Sequence, residues 1–282
     1  MTIKRVGILG SGIMGSGIAE VAAKTGHEVV LRSRKQETAD AMVASLTKSL
    51  TKQVERGKLS QEDADAALAR VTATDHIGAV ADCDLVIESV VEDMDVKRAL
   101  FTELDGICKE GAIIATNTST LSVIDMAVAT QRPDKVVGVH FFNPAPMMSL
   151  VEIVRPLTAS DETVAEVTAF ATACGKDPVE VKDRAGFIVN ALLFPYLNDA
   201  VLLLESHYAT ADEIDTVMTK GAGLPLGPFA LLDVVGNDVS LAIEQVLHNE
   251  FRLPELAPAR LLEQMVEAGY LGRKTRRGFR VY

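Results

Sequence analysis

The sequence predicts an α/β protein, with a doubly wound, mostly parallel sheet over residues 1–183 and an all-helical domain over residues 184–282. Three observations predict it. Strand-length apolar runs alternate with helix-period segments through the first two-thirds of the chain, a Gly-x-Gly-x-x-Gly sequence joins the first such run to the first helix, and after Asp183 no strand pattern returns until the last residues. The runs are continuously apolar rather than alternating, which marks strands covered on both faces, as in parallel sheets wound with helices.

The elements follow in order. Residues 6–9 form a short apolar strand that ends at Gly10, and residues 13–24 carry helical spacing up to a stop at Gly26. Residues 29–31 read as a second buried strand. Residues 42–56 read as a helix, with Met42, Leu46, Leu50 and Val54 repeating every four positions toward the core. Apolar runs at 85–90, 112–116, 136–142 and 150–154 add further strands, and 95–108 reads as a helix between two of them. Beyond 183, residues 187–205 and 211–220 read as helices. The Gly- and Pro-rich stretch 221–228 is a turn, and Pro254 and Pro258 punctuate a last helical region.

Composition narrows the function classes. The formal net charge of −11 favours solubility and argues against a nucleic-acid partner, because polyphosphate repels an acidic surface. Cys83, Cys108 and Cys174 are scattered and odd in number, so reduced structural thiols are expected, and no metal site. The apolar stretch 191–204 is interrupted by Asn198 and Asp199 and is too short to span a membrane. A cytoplasmic protein with no membrane partner is the expectation.

Gly10-Ser11-Gly12-Ile13-Met14-Gly15 stands between a predicted strand and a predicted helix, the context in which this spacing binds a dinucleotide. Gly10 allows the tight turn, Gly12 the approach of a pyrophosphate and Gly15 close helix–strand packing, while the helix N-terminus offers N–H groups to the phosphates. The next strand ends Leu31-Arg32-Ser33-Arg34. An acid that would bind the ribose hydroxyls is expected about where Ser33 stands, roughly 20 residues past the glycines. Without that carboxylate, and with Arg32 and Arg34 beside it, NADP(H) is favoured, and NAD(H) is the alternative.

Four further segments carry a resemblance: Asn117-Thr118-Ser119-Thr120-Leu121, His140-Phe141-Phe142-Asn143-Pro144, Leu150-Val151-Glu152-Ile153 and residues 183–190. With Gly227-Pro228-Phe229, Asp233 and Gly278-Phe279, the sequence resembles the 3-hydroxyacyl-CoA dehydrogenase family over its whole length, and in particular its free-standing short-chain members. The resemblance implies an N-terminal Rossmann-type domain, a helical C-terminal dimerisation domain, a homodimer, and a short-chain acyl-CoA substrate oxidised at an L-3-hydroxyl. It implies that His140 and Glu152 are the catalytic pair and that Ser119 and Asn190 hold the substrate. It also implies cofactor contacts at Glu92, Lys97, Ser119, Asn143 and Lys274, with Asn143 near substrate as well. Plain surface charge is the alternative for Lys97 and Lys274.

The residues make chemical sense beside the family. Alcohol oxidation needs a base for the hydroxyl proton, and histidine suits neutral pH. A carboxylate on the neighbouring strand orients the ring and stabilises its cation. Ser49, Lys52 and Arg56, with Lys48 adjoining, form a polar and basic stripe along the 42–56 helix. The family's CoA contacts match at Ser49 and Arg56, so the stripe is expected to meet CoA phosphates; an ordinary solvated helix face is the alternative. Two rival functions remain open at this level. One is a related hydroxyacid or sugar-acid dehydrogenase, which would use a lysine base. The other is a catalytically silent, crystallin-like structural protein on the same fold.

Overall fold

The computed structural model describes residues 3–282, and its backbone gathers into two units, Met1–Asp183 and Arg184–Tyr282. The first begins β1 (Arg5–Leu9), α1 (Ile13–Lys24), β2 (Glu28–Arg32), α2 (Gln36–Glu55), α3 (Gln61–Ala69) and β3 (Val71–Thr74). It continues β4 (Leu85–Glu88), α4 (Met94–Ile107), β5 (Ile113–Thr116), α5 (Val123–Ala127), β6 (Val136–Phe141), β7 (Leu150–Arg155), α6 (Asp161–Ala173) and β8 (Asp177–Lys182).

The strands lie in the order β3-β2-β1-β4-β5-β6-β7-β8, and every adjacent pair is parallel except β6 with β7. The chain winds one way from β1 to β3 and the other way from β4 onward. A crevice therefore opens beyond the carboxyl ends of β1 and β4, where open α/β sheets bind ligands. The central strands are buried throughout, which is why they read as unbroken apolar runs. Met42, Leu46 and Leu50 of α2 join Ile18, Ala22 and Leu31 in one core, and Val54 packs against it. Helix starts are set by side-chain caps: Ser60 accepts from Asp63 N, Asp93 from Val96 N and Ser160 from Thr163 N, at 2.9–3.1 Å.

Two strands escape the apolar-run signal. β3 (VTAT) and β8 (DPVEVK) are the sheet's edges, β3 half-buried and β8 largely exposed, so they lack the continuous apolar character of central strands. Several predicted boundaries also move, and the helix expected over 42–56 begins at Gln36. The strand expected over 85–90 ends at Glu88, and the helix expected from 187 starts at Val189, because Gly186 and Phe187 both have positive φ (73° and 48°) and cannot continue a right-handed helix.

The second unit holds α7 (Val189–Glu205), α8 (Ala211–Lys220), α9 (Pro228–Val235), α10 (Asn237–Phe251) and α11 (Arg260–Glu267) around a core of Phe194, Leu197, Val201, Phe229, Leu232 and Leu262. Two aspartates organise it. The Asp215 carboxylate accepts from Phe229 N (2.9 Å) and Ala230 N (3.1 Å), capping α9 from a neighbouring helix. Asp233 accepts from Phe279 N and Arg280 N (both 2.9 Å) and from the Tyr282 hydroxyl (3.1 Å), fastening the chain's last residues to α9. A Cβ at Gly278 would lie 1.8 Å from Asp233 Oδ1, so only glycine fits. The motif residues around 227–233 and 278–279 are thus one packing device.

Candidate active site

The glycine loop has the geometry that its spacing implies. Gly10 has φ +133°, and a Cβ there would stand 2.1 Å from Ser89 O; a Cβ on Gly15 would stand 2.3 Å from Gly10 O. Gly12 precedes α1 and faces open space, with nothing within 4 Å of an added Cβ. No side chain caps α1 and no acid stands in its first turn, so its N-terminal amides point into that space without a competing carboxylate. Ile13 is exposed there and Met14 half-buried.

A cavity of about 730 Å³ opens from this loop. Its floor is Gly10, Ser11 and Gly12; Arg32, Ser33 and Arg34 line one side, and Val91, Val96 and Leu100 give the other an apolar wall. Ser33 is buried, its hydroxyl against that of Thr38, and its amide donates to Thr74 O (3.1 Å). Arg34 is exposed and Arg32 half-exposed, with Arg32 Nε donating to Asp75 O at 3.3 Å. Glu103 also lines the cavity, on the same face of α4 as Val96, Ala99 and Leu100, and no motif in the sequence marks it. A glycine floor, unclaimed helix amides and an apolar slot fit a dinucleotide.

A second cluster gathers residues from three strands. His140 on β6 and Glu152 on β7 are register partners, both buried, with His140 Nδ1 2.8 Å from Glu152 Oε2. A carboxylate can only accept, so Nδ1 carries the proton and Nε2 is the basic nitrogen. Nε2 lies 3.1 Å from the Ser119 hydroxyl, which sits just beyond β5. The Phe142 ring packs on the imidazole, centroids 4.4 Å apart, and Asn117 Oδ1 accepts from Phe141 N (2.8 Å), tying the β5 end to β6.

Glu92 and Lys97 stand beside this cluster. Glu92 Oε1 accepts from the Thr118 hydroxyl and from Ser119 N (3.0 Å) and Thr120 N (3.3 Å). Lys97 is fully buried, which corrects the surface-charge alternative; its ammonium lies 2.6 Å from Glu88 and 3.4 Å from Glu92. Glu88 was missed by the sequence reading, although a lone acid closing a wholly apolar strand was the available signal.

Other predicted residues stand on other elements. Lys52 and Arg56 are exposed along α2 and at its end, while Ser49 is half-buried and holds Gln53 Nε2 at 3.4 Å. Asn143 is exposed in the connection after β6. Asn190, buried at the start of α7, and Lys274, paired with Asp238 at 2.5 Å, belong to the helical unit. Cys83, Cys108 and Cys174 are buried free thiols, each pushed up to about 11 by burial. No group of His, Cys, Asp and Glu able to hold a metal occurs among the described residues, and no described helix is long and apolar enough to cross a membrane.

Two family models match the chain: 3-hydroxyacyl-CoA dehydrogenase, NAD binding domain, over residues 5–184, and 3-hydroxyacyl-CoA dehydrogenase, C-terminal domain, over residues 186–282. The chain is 45% identical over 278 residues to a 3-hydroxybutyryl-CoA dehydrogenase of Clostridioides difficile, covering 99% of each chain. It is 40% identical to the mitochondrial hydroxyacyl-coenzyme A dehydrogenase of Homo sapiens, covering 99% of this chain and 91% of the human one. The crystal structure of (S)-3-hydroxybutyryl-CoA dehydrogenase from Ralstonia eutropha superposes with a TM-score of 0.97 at 42% identity, covering 100% of this chain and 99% of that one.

Proposed function

Because the chain belongs to the 3-hydroxyacyl-CoA dehydrogenase family along its whole length, we propose that it interconverts L-3-hydroxybutyryl-CoA and acetoacetyl-CoA, with His140 as the proton-transferring residue. The observation that carries this reading is the buried relay from Glu152 through His140 to Ser119, at 2.8 and 3.1 Å.

A bound nicotinamide dinucleotide supplies or accepts the hydride. The protein's own groups manage the proton. In oxidation, His140 Nε2 takes the proton of the substrate hydroxyl, and Glu152 both fixes the tautomer that leaves Nε2 basic and stabilises the imidazolium that forms. In reduction the same Nε2–H donates to the 3-keto oxygen. Ser119, and Asn190 with it, hydrogen-bonds that oxygen and steadies the charge that develops there. A histidine base supported in this way argues against the sugar-acid dehydrogenase reading, which would use lysine.

The pyrophosphate of the dinucleotide is held by Gly10, Gly12, Ile13, Met14 and Gly15, and NADP(H) is preferred, with Arg32 and Arg34 taking the 2′-phosphate beside Ser33. The lack of a carboxylate at the end of β2 and the arginines lining the cavity support that preference. Glu92, Lys97, Asn143 and Lys274 complete the cofactor contacts. Ser49, Lys52 and Arg56 receive the phosphates of CoA, and Asn143 meets the substrate too. The helical domain, residues 184–282, serves a homodimer; sedimentation as a monomer would overturn that. The buried thiols suit a cytoplasmic setting.

Initial rates of acetoacetyl-CoA reduction with NADPH and with NADH test the whole reading. Turnover with either supports the activity, and a higher kcat/KM with NADPH supports the role of Arg32, Ser33 and Arg34. Preference for NADH overturns that role alone. No reaction with either returns the chain to a silent structural protein.

A further inference from the structure

Beneath the Ser119 loop lies a chain of charged groups that the proton relay does not use. Glu88 is the last residue of β4, wholly buried, in register with Leu9 of β1 and Thr116 of β5. Its Oε1 accepts from Lys97 Nζ and Val90 N (both 2.6 Å), and its Oε2 accepts from the Thr116 hydroxyl (2.8 Å). Lys97, reaching in from α4, is also wholly buried and turns its ammonium toward Glu92 Oε2 at 3.4 Å. The other oxygen of Glu92 gathers Thr118, Ser119 and Thr120. The series runs unbroken from Glu88 through Lys97 and Glu92 to the Ser119 backbone, whose side chain meets His140.

Burying an ion pair costs desolvation that its attraction often fails to repay, and apolar residues of like volume stabilise such a slot as well or better. What the charged pair adds is direction. A lysine anchored by Glu88 presents its ammonium to Glu92 at a fixed place, and a fixed Glu92 sets the backbone of the 118–120 loop. We infer that Glu88 is a positioning residue for the reaction: through Lys97 and Glu92 it holds the Ser119 loop so that the serine hydroxyl stays aligned with His140 Nε2. The inference rests on Ser119 and His140 acting as proposed above.

Glu88→Gln keeps the shape and leaves Lys97 with Glu92 as its one carboxylate partner in the series. Loosening of a catalytic alignment by about 1 Å is enough to cost as much as 10²-fold. For acetoacetyl-CoA reduction, E88Q is therefore expected to lower kcat by about ten- to a hundredfold, with KM for acyl-CoA changed by less than about threefold. The decisive readout is a cycle with Ser119→Ala. If Glu88 acts through Ser119, E88Q adds less than about twofold in the S119A background, whereas independent effects multiply. Thr116→Val, which removes its bond to Glu88 and the one its hydroxyl accepts from Thr118 N (3.1 Å), carries the same cycle should E88Q fail to fold. Wild-type kcat in both E88Q and T116V, or full multiplication in the S119A background, overturns the positioning role and leaves the proposed function standing. Wild-type protein that turns over no acetoacetyl-CoA overturns the function and this inference with it.

Discussion

Glu152 faces His140 across the β6–β7 pairing, Oε2 to Nδ1 at 2.8 Å, and that pairing is the antiparallel one in an otherwise parallel sheet. Direct opposition holds the imidazole edge-on to the carboxylate without any flexible linker, and a slip of one residue would turn both side chains to the other face.

Glu152→Gln keeps the size but can present an N–H to Nδ1 and so invert the tautomer. A fall in kcat of about 10²–10⁴ is expected, with KM little changed, and His140→Ala should lose as much or more. Steady-state kinetics of acetoacetyl-CoA reduction read both. Near-wild-type turnover in His140→Ala would remove the histidine from the mechanism.

Ser33→Asp combined with Arg34→Ala supplies an acid of the kind that favours ribose hydroxyls and removes the guanidinium proposed to take the 2′-phosphate. The ratio of kcat/KM for NADPH over NADH should fall by about tenfold or more, since a like charge placed against a phosphate is an effective repulsive element. An unchanged ratio places the discrimination elsewhere in the cavity.

Lys52→Ala with Arg56→Ala should raise KM for acetoacetyl-CoA by several-fold, an effect of about 1 kcal/mol that shrinks as salt is added. The same pair should leave KM for acetoacetyl-pantetheine, which lacks the nucleotide phosphates, where it was. Equal changes for both substrates would deny the stripe its phosphate role.

Glu244 on α10 is buried, with no hydrogen-bond partner on either carboxyl oxygen among the described residues, and burial pushes it from 4.5 up to about 8. Between those values the folded chain keeps a proton that the unfolded chain has released. The contribution of Glu244 to stability is therefore greatest below 4.5 and falls as pH rises toward 8, by up to about 1.4 kcal/mol per pH unit, then levels off. Urea unfolding of wild type and Glu244→Gln at pH 5, 6, 7 and 8 isolates the contribution: the variant should be flatter across the range. Parallel curves would show that Glu244 ionises alike in both states.

Gly278→Ala puts a methyl where Asp233 Oδ1 already lies, so it should destabilise the helical unit by about 1–3 kcal/mol and lower its melting temperature in calorimetry. An unchanged melt would mean that the last residues move aside at no cost.

Much of this architecture is legible in the chain, for definite physical reasons. The central strands are buried on both faces and so could be written in apolar residues alone, and Gly10, Gly12 and Gly15 mark contacts that no Cβ would survive or a surface that must stay bare. β3 and β8 left no such mark because edge strands must also face solvent. Ser119, His140 and Glu152 could be chosen from their motifs, and the structure brings them together at hydrogen-bond distance. Glu88 and Lys97 could not be paired from sequence, since nothing in the spacing of residues 88 and 97 says that a strand end and a helix face will bury both charges in one slot.

The reversal of direction between β6 and β7 leaves His140 and Glu152 only 12 positions apart in the chain. The pair therefore forms from near neighbours instead of waiting for remote segments to meet. The connection between the two strands, residues 142–149, lies outside the ladder that aligns them. It carries Phe142, whose ring packs on the imidazole, so a change there alters the histidine's surroundings without disturbing the His140–Glu152 register.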